Sequence, residues 1–362
     1  MFGYNKKASY MLQQISEAYG MQEAAHSITP VGSGLIHKTW KVSDGDEIFI
    51  LQQINQKVFH DPYAIAENIE VVASYLKEQH PDYFFVAPIP TKTKDQLFFN
   101  KAEGYYRLFP FVKGSHSIDS VSTLEQAYEA AKQFGRFTGL LAGFNTENLK
   151  ITIPDFHNLT FRFSQFLNAV ENGDVIRKEY AKQLIKELIS YESIVTTYEQ
   201  IKRSPDFHLR VTHHDTKISN VLFNDQNLAL CVIDLDTIMP GYFFSDVGDM
   251  MRTYLSPANE EETDFSLIHI REKYFRAIVT GYLQEMNGHL TTVEKNHFVY
   301  AGKFIIYMQA LRFLTDYLNN DVYYGAKYEL HNYNRAMNQL YLLKELINKK
   351  AALEKIVRET IE

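Results

Sequence analysis

The sequence predicts an α+β protein of two lobes, a small N-terminal antiparallel sheet followed by a larger, mainly helical C-terminal part. Three observations carry this expectation. Short β-rich runs crowd the first third of the chain, long helical periodicities fill most of the remainder, and one island of strand-like residues near 209–238 interrupts them. The shift in pattern places the division at 112/113, giving residues 1–112 as a first lobe and 113–362 as a second.

The elements follow in chain order. Runs at 28–31, 38–42 and 47–54 read as strands, and Ser43-Asp44-Gly45-Asp46 between the last two is turn chemistry, so they form a hairpin. Ile65, Ile69, Val72 and Leu76 recur at helical spacing, with Pro62 suited to a first turn, which predicts a helix over 62–79. Aromatic-rich runs at 84–89, 96–100 and 105–111 extend the sheet to about five strands. Helical patterns then occupy 124–144, 159–170 and 178–202, and return from 265 to the end.

Composition excludes several classes of function. The chain has 362 residues, 45% hydrophobic and 22% charged, which is the balance of a globular protein with a substantial core. With 37 Lys and Arg against 44 Asp and Glu, the net charge of -7 argues against nucleic acid as a partner. The first residues lack the apolar run of a signal peptide, and no stretch approaches a membrane span, which predicts no membrane association and a cytoplasmic protein. Cys231 is the single cysteine and is expected to be a buried bystander.

The chemistry concentrates in Val211-Thr-His-His-Asp-Thr-Lys-Ile-Ser-Asn220 and in the strand-like stretch leading to Asp234. Phosphoryl transfer needs a carboxylate beside the attacking hydroxyl and oxygen ligands that hold Mg2+ against the phosphates. His213-x-Asp215 with Asn220 after four intervening residues has the spacing of a kinase catalytic loop. Asp215 is the expected catalytic base, Asn220 and Asp234 the expected metal ligands, and Asp236 a supporting group. His213 is expected to prop the loop, since a zinc site would need more ligands than His213, His214 and Asp215 supply.

These motifs resemble those of the aminoglycoside phosphotransferase and choline kinase superfamily. Thr212-His-His-Asp-Thr-Lys-Ile-Ser-Asn220, Ile233-Asp-Leu-Asp-Thr-Ile-Met-Pro-Gly241 and Asp246-Val-Gly-Asp-Met-Met-Arg252 are most similar to its N-acetylhexosamine 1-kinase branch. Similarity continues in Phe49-Ile-Leu-Gln-Gln-Ile-Asn55, Ile153-Pro-Asp-Phe-His-Asn158 and the stretch from Ala310 to Leu318. The resemblance implies a protein-kinase-like fold, with ATP between the lobes and transfer to the anomeric hydroxyl of GlcNAc or GalNAc. Choline, homoserine or an aminoglycoside are the other acceptors it allows, and a nucleotide-binding pseudokinase without turnover is the rival outside catalysis.

The nucleotide contacts are expected from Gly32, Ser33 and Gly34, whose Gly-rich turn lets backbone N–H groups approach phosphate, although a plain turn reads the same way. Phe109 and Phe111 lie in the run that would form the hinge beside adenine, and core packing accounts for them equally well. The third strand lacks the lysine that pairs with ATP phosphates in kinases, and Gln52 stands there with Gln53. Glu67 and Glu70 on the next helix have no assigned catalytic part. A small-molecule sugar acceptor would be read by Asp246, Asp249, Arg252, Arg312 and Tyr317, although Arg312–Asp316 and Arg252–Asp249 also fit as helix ion pairs.

Overall fold

The computed structural model describes residues 3–21, 27–31 and 36–362. It has a five-stranded antiparallel sheet toward the N-terminus and a mainly helical remainder. The chain divides into two compact units. The first comprises Met1–Ser115 and two later returns of the chain, Glu147–Pro154 and Ile233–Met239; the second holds the rest. A linear division at 112/113 has no counterpart for those two returns.

In the first unit, helix α1 (Gly3–Tyr19) precedes strands β1 (Ser27–Pro30), β2 (Lys38–Asp44) and β3 (Glu47–Gln53), helix α2 (Pro62–Gln79), and strands β4 (Phe98–Asn100) and β5 (Gly104–Pro110). The sheet order is β1-β2-β3-β5-β4. The β2–β3 hairpin pairs Asp44 with Glu47 across a turn in which Gly45 takes φ +57°, a conformation that glycine adopts without Cβ strain. One face buries Val42, Leu51, Tyr106 and Leu108 against Met11 and Ile15 of α1. Helix α2 starts where expected because the Asp61 carboxylate accepts from the N–H groups of Tyr63 and Ala64, with Pro62 following.

The expected strand over 84–89 does not form. Pro88 and Pro90 lack N–H groups, so only Ile89 joins the sheet, donating its N–H to the Leu108 carbonyl at 2.7 Å. Helix α1 was not anticipated from the sequence.

The second unit contains α3 (Leu124–Leu140), α4 (Leu159–Asn172), α5 (Val175–Tyr180), α6 (Lys182–Ile189) and α7 (Ser193–Arg203). Three short strands follow, β6 (Arg210–Thr212), β7 (Val221–Phe223) and β8 (Ala229–Val232). Next come β9 (Met239–Gly241), whose last two residues lie in this unit, and α8 (Phe243–Tyr254). Helices α9 (Glu272–Met286), α10 (Thr292–Lys295), α11 (Phe298–Leu318), α12 (His331–Asn348) and α13 (Lys350–Ile361) complete it. The single helix expected over 178–202 is broken near Ser190, whose hydroxyl donates to the Glu187 carbonyl at 2.6 Å and competes with helix bonding.

Helix α11 is buried almost all round and packs on α4, α8 and α12, while α3 packs on α9. This core fixes α8, and α8 in turn holds the loop after β6. Among the described residues, no helix is long and apolar enough to cross a membrane.

Candidate active site

The loop after β6 carries Asp215 and is held by buried partners on every side. The two Asp246 carboxylate oxygens accept the backbone N–H groups of His213 at 3.0 Å and His214 at 2.7 Å. Asp249, one turn further along α8, accepts the Thr216 N–H at 2.9 Å, and the Tyr254 hydroxyl donates to the Thr216 carbonyl at 2.7 Å. His213 is enclosed, edge-on to Phe134, and its Nδ1 accepts the Asp215 N–H at 3.3 Å. The propping part expected of His213 is therefore what its contacts describe.

Two non-glycine residues here take left-handed backbone conformations, His214 at φ +66° and Asp234 at φ +62°. Such conformations are sparsely populated and persist where surrounding contacts over-determine them. At His214 those contacts include the Asp246 bond and Gly241, where a Cβ would lie 2.5 Å from the imidazole Cε1. Only glycine at 241 leaves room for that ring.

Within this loop, Asn220 Nδ2 donates to the Asp215 carbonyl at 2.8 Å and to Asp215 Oδ2 at 3.0 Å. The amide is thereby oriented, and Oδ1 remains as its acceptor. Lys217 Nζ lies 3.1 Å from Asp215 Oδ2, in a half-exposed ion pair. Asp215 is thus a partly exposed carboxylate on a loop whose backbone is held by buried partners, and Lys217 is a neighbour that its position two residues after Asp215 could have signalled.

The residues expected to read a sugar divide into two groups. Asp246 and Asp249 are already occupied by backbone N–H groups, which makes them braces of the loop. Burial pushes the Asp246 carboxyl up to about 6, partly offset by His213 and by those N–H groups. Burial also raises Asp249, and Arg252 opposes that shift. Arg252 is largely enclosed between Asp249 at 3.0 Å and Glu260 at 2.7 Å, so the helix ion pair forms. Tyr317 lies beneath the Arg177 guanidinium, 4.7 Å from its ring centroid, and beside Tyr333.

Arg312 is different. Five residues before Tyr317, it leaves α11 on another side, roughly 140° around the helix. It does not pair with Asp316, whose oxygens accept the N–H groups of Tyr323 and Tyr324 at 2.7 and 2.8 Å. Its guanidinium lies 5.6 Å from the Phe156 ring centroid. His157, stacked on Phe156, approaches His214 with Nδ1 atoms 3.2 Å apart. Arg312 therefore belongs to the neighbourhood of the Asp215 loop, and His157 is a member that sequence reading did not single out.

The first unit carries the Gln52 and Asp234 stretches. Gln52 faces Arg107 across β3 and β5, and its amide oxygen Oε1 accepts from Arg107 Nε at 3.1 Å and Nη2 at 2.9 Å. Arg107 Nη1 meets Asp236 Oδ1 at 2.5 Å, and His37 Nε2 meets Asp236 Oδ2 at 2.6 Å. Burial alone would raise Asp236, but Arg107 and His37 together hold its carboxyl well below the usual range. Phe109 packs under Arg107 and Phe111 under Lys41 Nζ, at 5.0 and 4.7 Å from the ring centroids. Among the described residues, Glu67 makes an exposed ion pair with Lys150. The Gly32, Ser33 and Gly34 turn lies outside the described residues.

His37, Asp234 and Asp236 bring possible ligand atoms within 4.8 Å of one another. Both Asp236 oxygens are engaged, by Arg107 and by His37, so this group does not offer three open ligands. The Asp234 carboxylate is an oxygen donor of the kind that suits Mg2+, a hard cation, while Asn220 lies in the second unit. Cys231 is buried, and burial pushes its thiol up to about 12, which removes it as a nucleophile.

Several solved structures share this fold. Amicoumacin kinase hAmiN in complex with AMP-PNP, Ca2+ and Ami superposes with TM-score 0.62 at 14% identity, over 96% of each chain. Spectinomycin phosphotransferase APH(9)-Ia with ADP and spectinomycin gives 0.55 at 14%, over 97% of each. Choline kinase from Cryptosporidium parvum Iowa II gives 0.56 at 15%, over 95% of this chain and 97% of that one. Residues 27–277, well over half of the sequence, match the APH phosphotransferase enzyme family, and the chain belongs to that family.

Proposed function

We propose that this phosphotransferase is an ATP- and Mg2+-dependent small-molecule kinase that phosphorylates the anomeric hydroxyl of an N-acetylhexosamine. The observation that carries the kinase chemistry is the Asp215 loop, where a partly exposed carboxylate is fixed by Asn220, His213 and α8 and is flanked by Lys217. Nucleotides and a divalent cation in structural relatives support the donor and metal. The stretches around 212–220, 233–241 and 246–252 are what favours the sugar.

In this reading, Asp215 orients the acceptor hydroxyl and takes its proton as the oxygen bonds to the γ-phosphorus. The bond from that phosphorus to the bridging oxygen breaks, and ADP leaves. Lys217 holds the carboxylate in place before transfer. Asn220 and Asp234 would hold Mg2+, which would screen the phosphate charge. Residues 1–112 supply most nucleotide contacts, with Gly32, Ser33, Gly34, Gln52, Phe109 and Phe111 among them, and 113–362 supply the acceptor contacts. Arg107 provides the buried cation opposite Gln52 that the missing strand lysine would otherwise represent, acting on Asp236 and so on the segment that carries Asp234.

ADP release with ATP and Mg2+ tests this against GlcNAc, GalNAc, choline, homoserine and an aminoglycoside, with phosphorus NMR of the product. An anomeric phosphate is expected. Turnover of another alcohol keeps the kinase and discards the sugar, and silence with ATP still bound selects the pseudokinase. Asp215→Asn is expected to lower transfer by at least about a thousandfold while thermal unfolding and nucleotide binding stay as in the parent. A variant with parental rates refutes the assignment of Asp215.

A further inference from the structure

Most buried arginines of the second unit have an evident partner. Arg177 meets Asp321, Arg210 meets Glu294, and Arg252 and Arg335 share Glu260. Arg271 donates to the carbonyls of Tyr254, Leu255 and Ser256. Two guanidiniums near the Asp215 loop break this pattern.

Arg312 reaches only the Gln309 amide at 3.2 Å and the Tyr323 hydroxyl at 3.5 Å. Arg162, on α4, donates to Gln165 at 2.9 Å and to the Phe156 carbonyl at 3.5 Å, while its Nε is buried without a partner. Neither forms an ion pair among the described residues, and both converge on Phe156, one on its carbonyl and the other toward its ring. Of the nearest acids, Asp316 is spent on backbone N–H groups, and Asp155 is exposed and accepts from Asn158.

The electrostatics agree with the geometry. Burial lowers the basicity of Arg162, and the Arg312 charge lowers it further. Burial, His214, Arg312, Arg162 and Arg252 together hold the His157 imidazole well below its ordinary value. Two half-buried cations repel each other, offset by aromatic faces, neutral acceptors and, for Arg162, the charge of the exposed Asp155. An oxyanion bound to both would relieve that repulsion through charge-assisted hydrogen bonds.

We propose that the acceptor is an N-acetylhexosamine derivative that also carries an oxyanion, a carboxylate or a phosphate, which Arg162 and Arg312 hold while its anomeric hydroxyl is presented to Asp215. This rests on reading Asp215 as the acceptor site and narrows the substrate class. Acid-bearing sugars are favoured, neutral ones are tolerated and cationic acceptors are disfavoured.

Calorimetric titration of the full chain, with AMP-PNP and Mg2+ present, would compare glucuronate, glucose 6-phosphate, glucose and glucosamine. At least one anionic sugar is expected to bind about tenfold or more tightly than glucose, with glucosamine weakest. Whether glucuronate or glucose 6-phosphate wins identifies the anion. Arg162→Gln and Arg312→Gln should each erase that preference, and Arg162→Lys should keep part of it, with unfolding midpoints checking that each variant folds. Glucose binding as well as both anions, or a preference that survives both Gln substitutions, overturns the proposal. Anion preference without transfer to any sugar refutes the kinase reading and leaves this subsite standing, whereas transfer without anion preference does the reverse.

Discussion

A carboxylate as enclosed as Asp236 is tolerated because two donors meet it, Arg107 at 2.5 Å and His37 at 2.6 Å, and Gln52 satisfies the rest of the guanidinium. Removing one partner of such a pair costs more than the pair contributes, since the other charge stays buried and alone. Arg107→Leu is therefore expected to destabilise the protein by about 3–5 kcal/mol at neutral pH. The pH dependence has a definite sign. With Arg107 present, the Asp236 carboxyl sits below its ordinary range, so its stabilising effect is present above that range and is lost only as the pH falls through it. Without Arg107, burial dominates and raises the carboxyl, so the variant's deficit should narrow on mild acidification as Asp236 takes up a proton. Urea unfolding at neutral and mildly acidic pH checks this, and a deficit that is small or constant with pH would show that the pair does not carry the charge balance described.

At the scale of elements, α8 links the core to the loop. Gly248 packs where a Cβ would press on the Ala301 carbonyl of α11, while Asp246 and Asp249 on the same helix hold the backbone N–H groups of residues 213, 214 and 216. Gly248→Ala is expected to cost about 1–3 kcal/mol by forcing the helices apart and to lower the transfer rate, because the braces move with the helix. Unfolding and single-turnover transfer measured on one preparation would show both losses; a stable variant with parental transfer would separate helix packing from loop position. Sequence reading reached the elements set by local chemistry, such as α2 with its Asp61 cap and Pro62 start and the β2–β3 hairpin around Gly45. It also singled out Asp215 and Asn220 as candidates, because their spacing lies within one loop. It did not reach the Gln52–Arg107 register, the occupation of Asp246 by backbone donors or the convergence of Arg162 with Arg312. Each depends on residues brought together from distant parts of the chain, and no local pattern records them. The strand expected at 84–89 failed for a local reason, two prolines whose missing N–H groups outweighed the aromatic pattern.

For the whole molecule, the decisive feature is that the first unit is not a continuous piece of chain. Its buried Asn68 accepts the Lys150 N–H at 2.7 Å and donates to the Lys150 and Ile238 carbonyls at 2.9 and 3.0 Å. The Thr152 hydroxyl donates to the Asp236 carbonyl at 2.8 Å, and Arg107 and His37 both need the Asp236 side chain. A fragment of residues 1–115 keeps the five strands and α2 but loses every one of these partners. Arg107 would then be a buried guanidinium facing only Gln52, and Asn68 a buried amide with its donors and acceptor open, penalties that together exceed the margin by which small domains are stable. That fragment is expected to show no cooperative thermal transition by circular dichroism, in contrast to the full chain. A cooperative transition in the fragment close to that of the intact protein would mean that the returns at 147–154 and 233–239 are attached to an already self-sufficient sheet instead of completing its core.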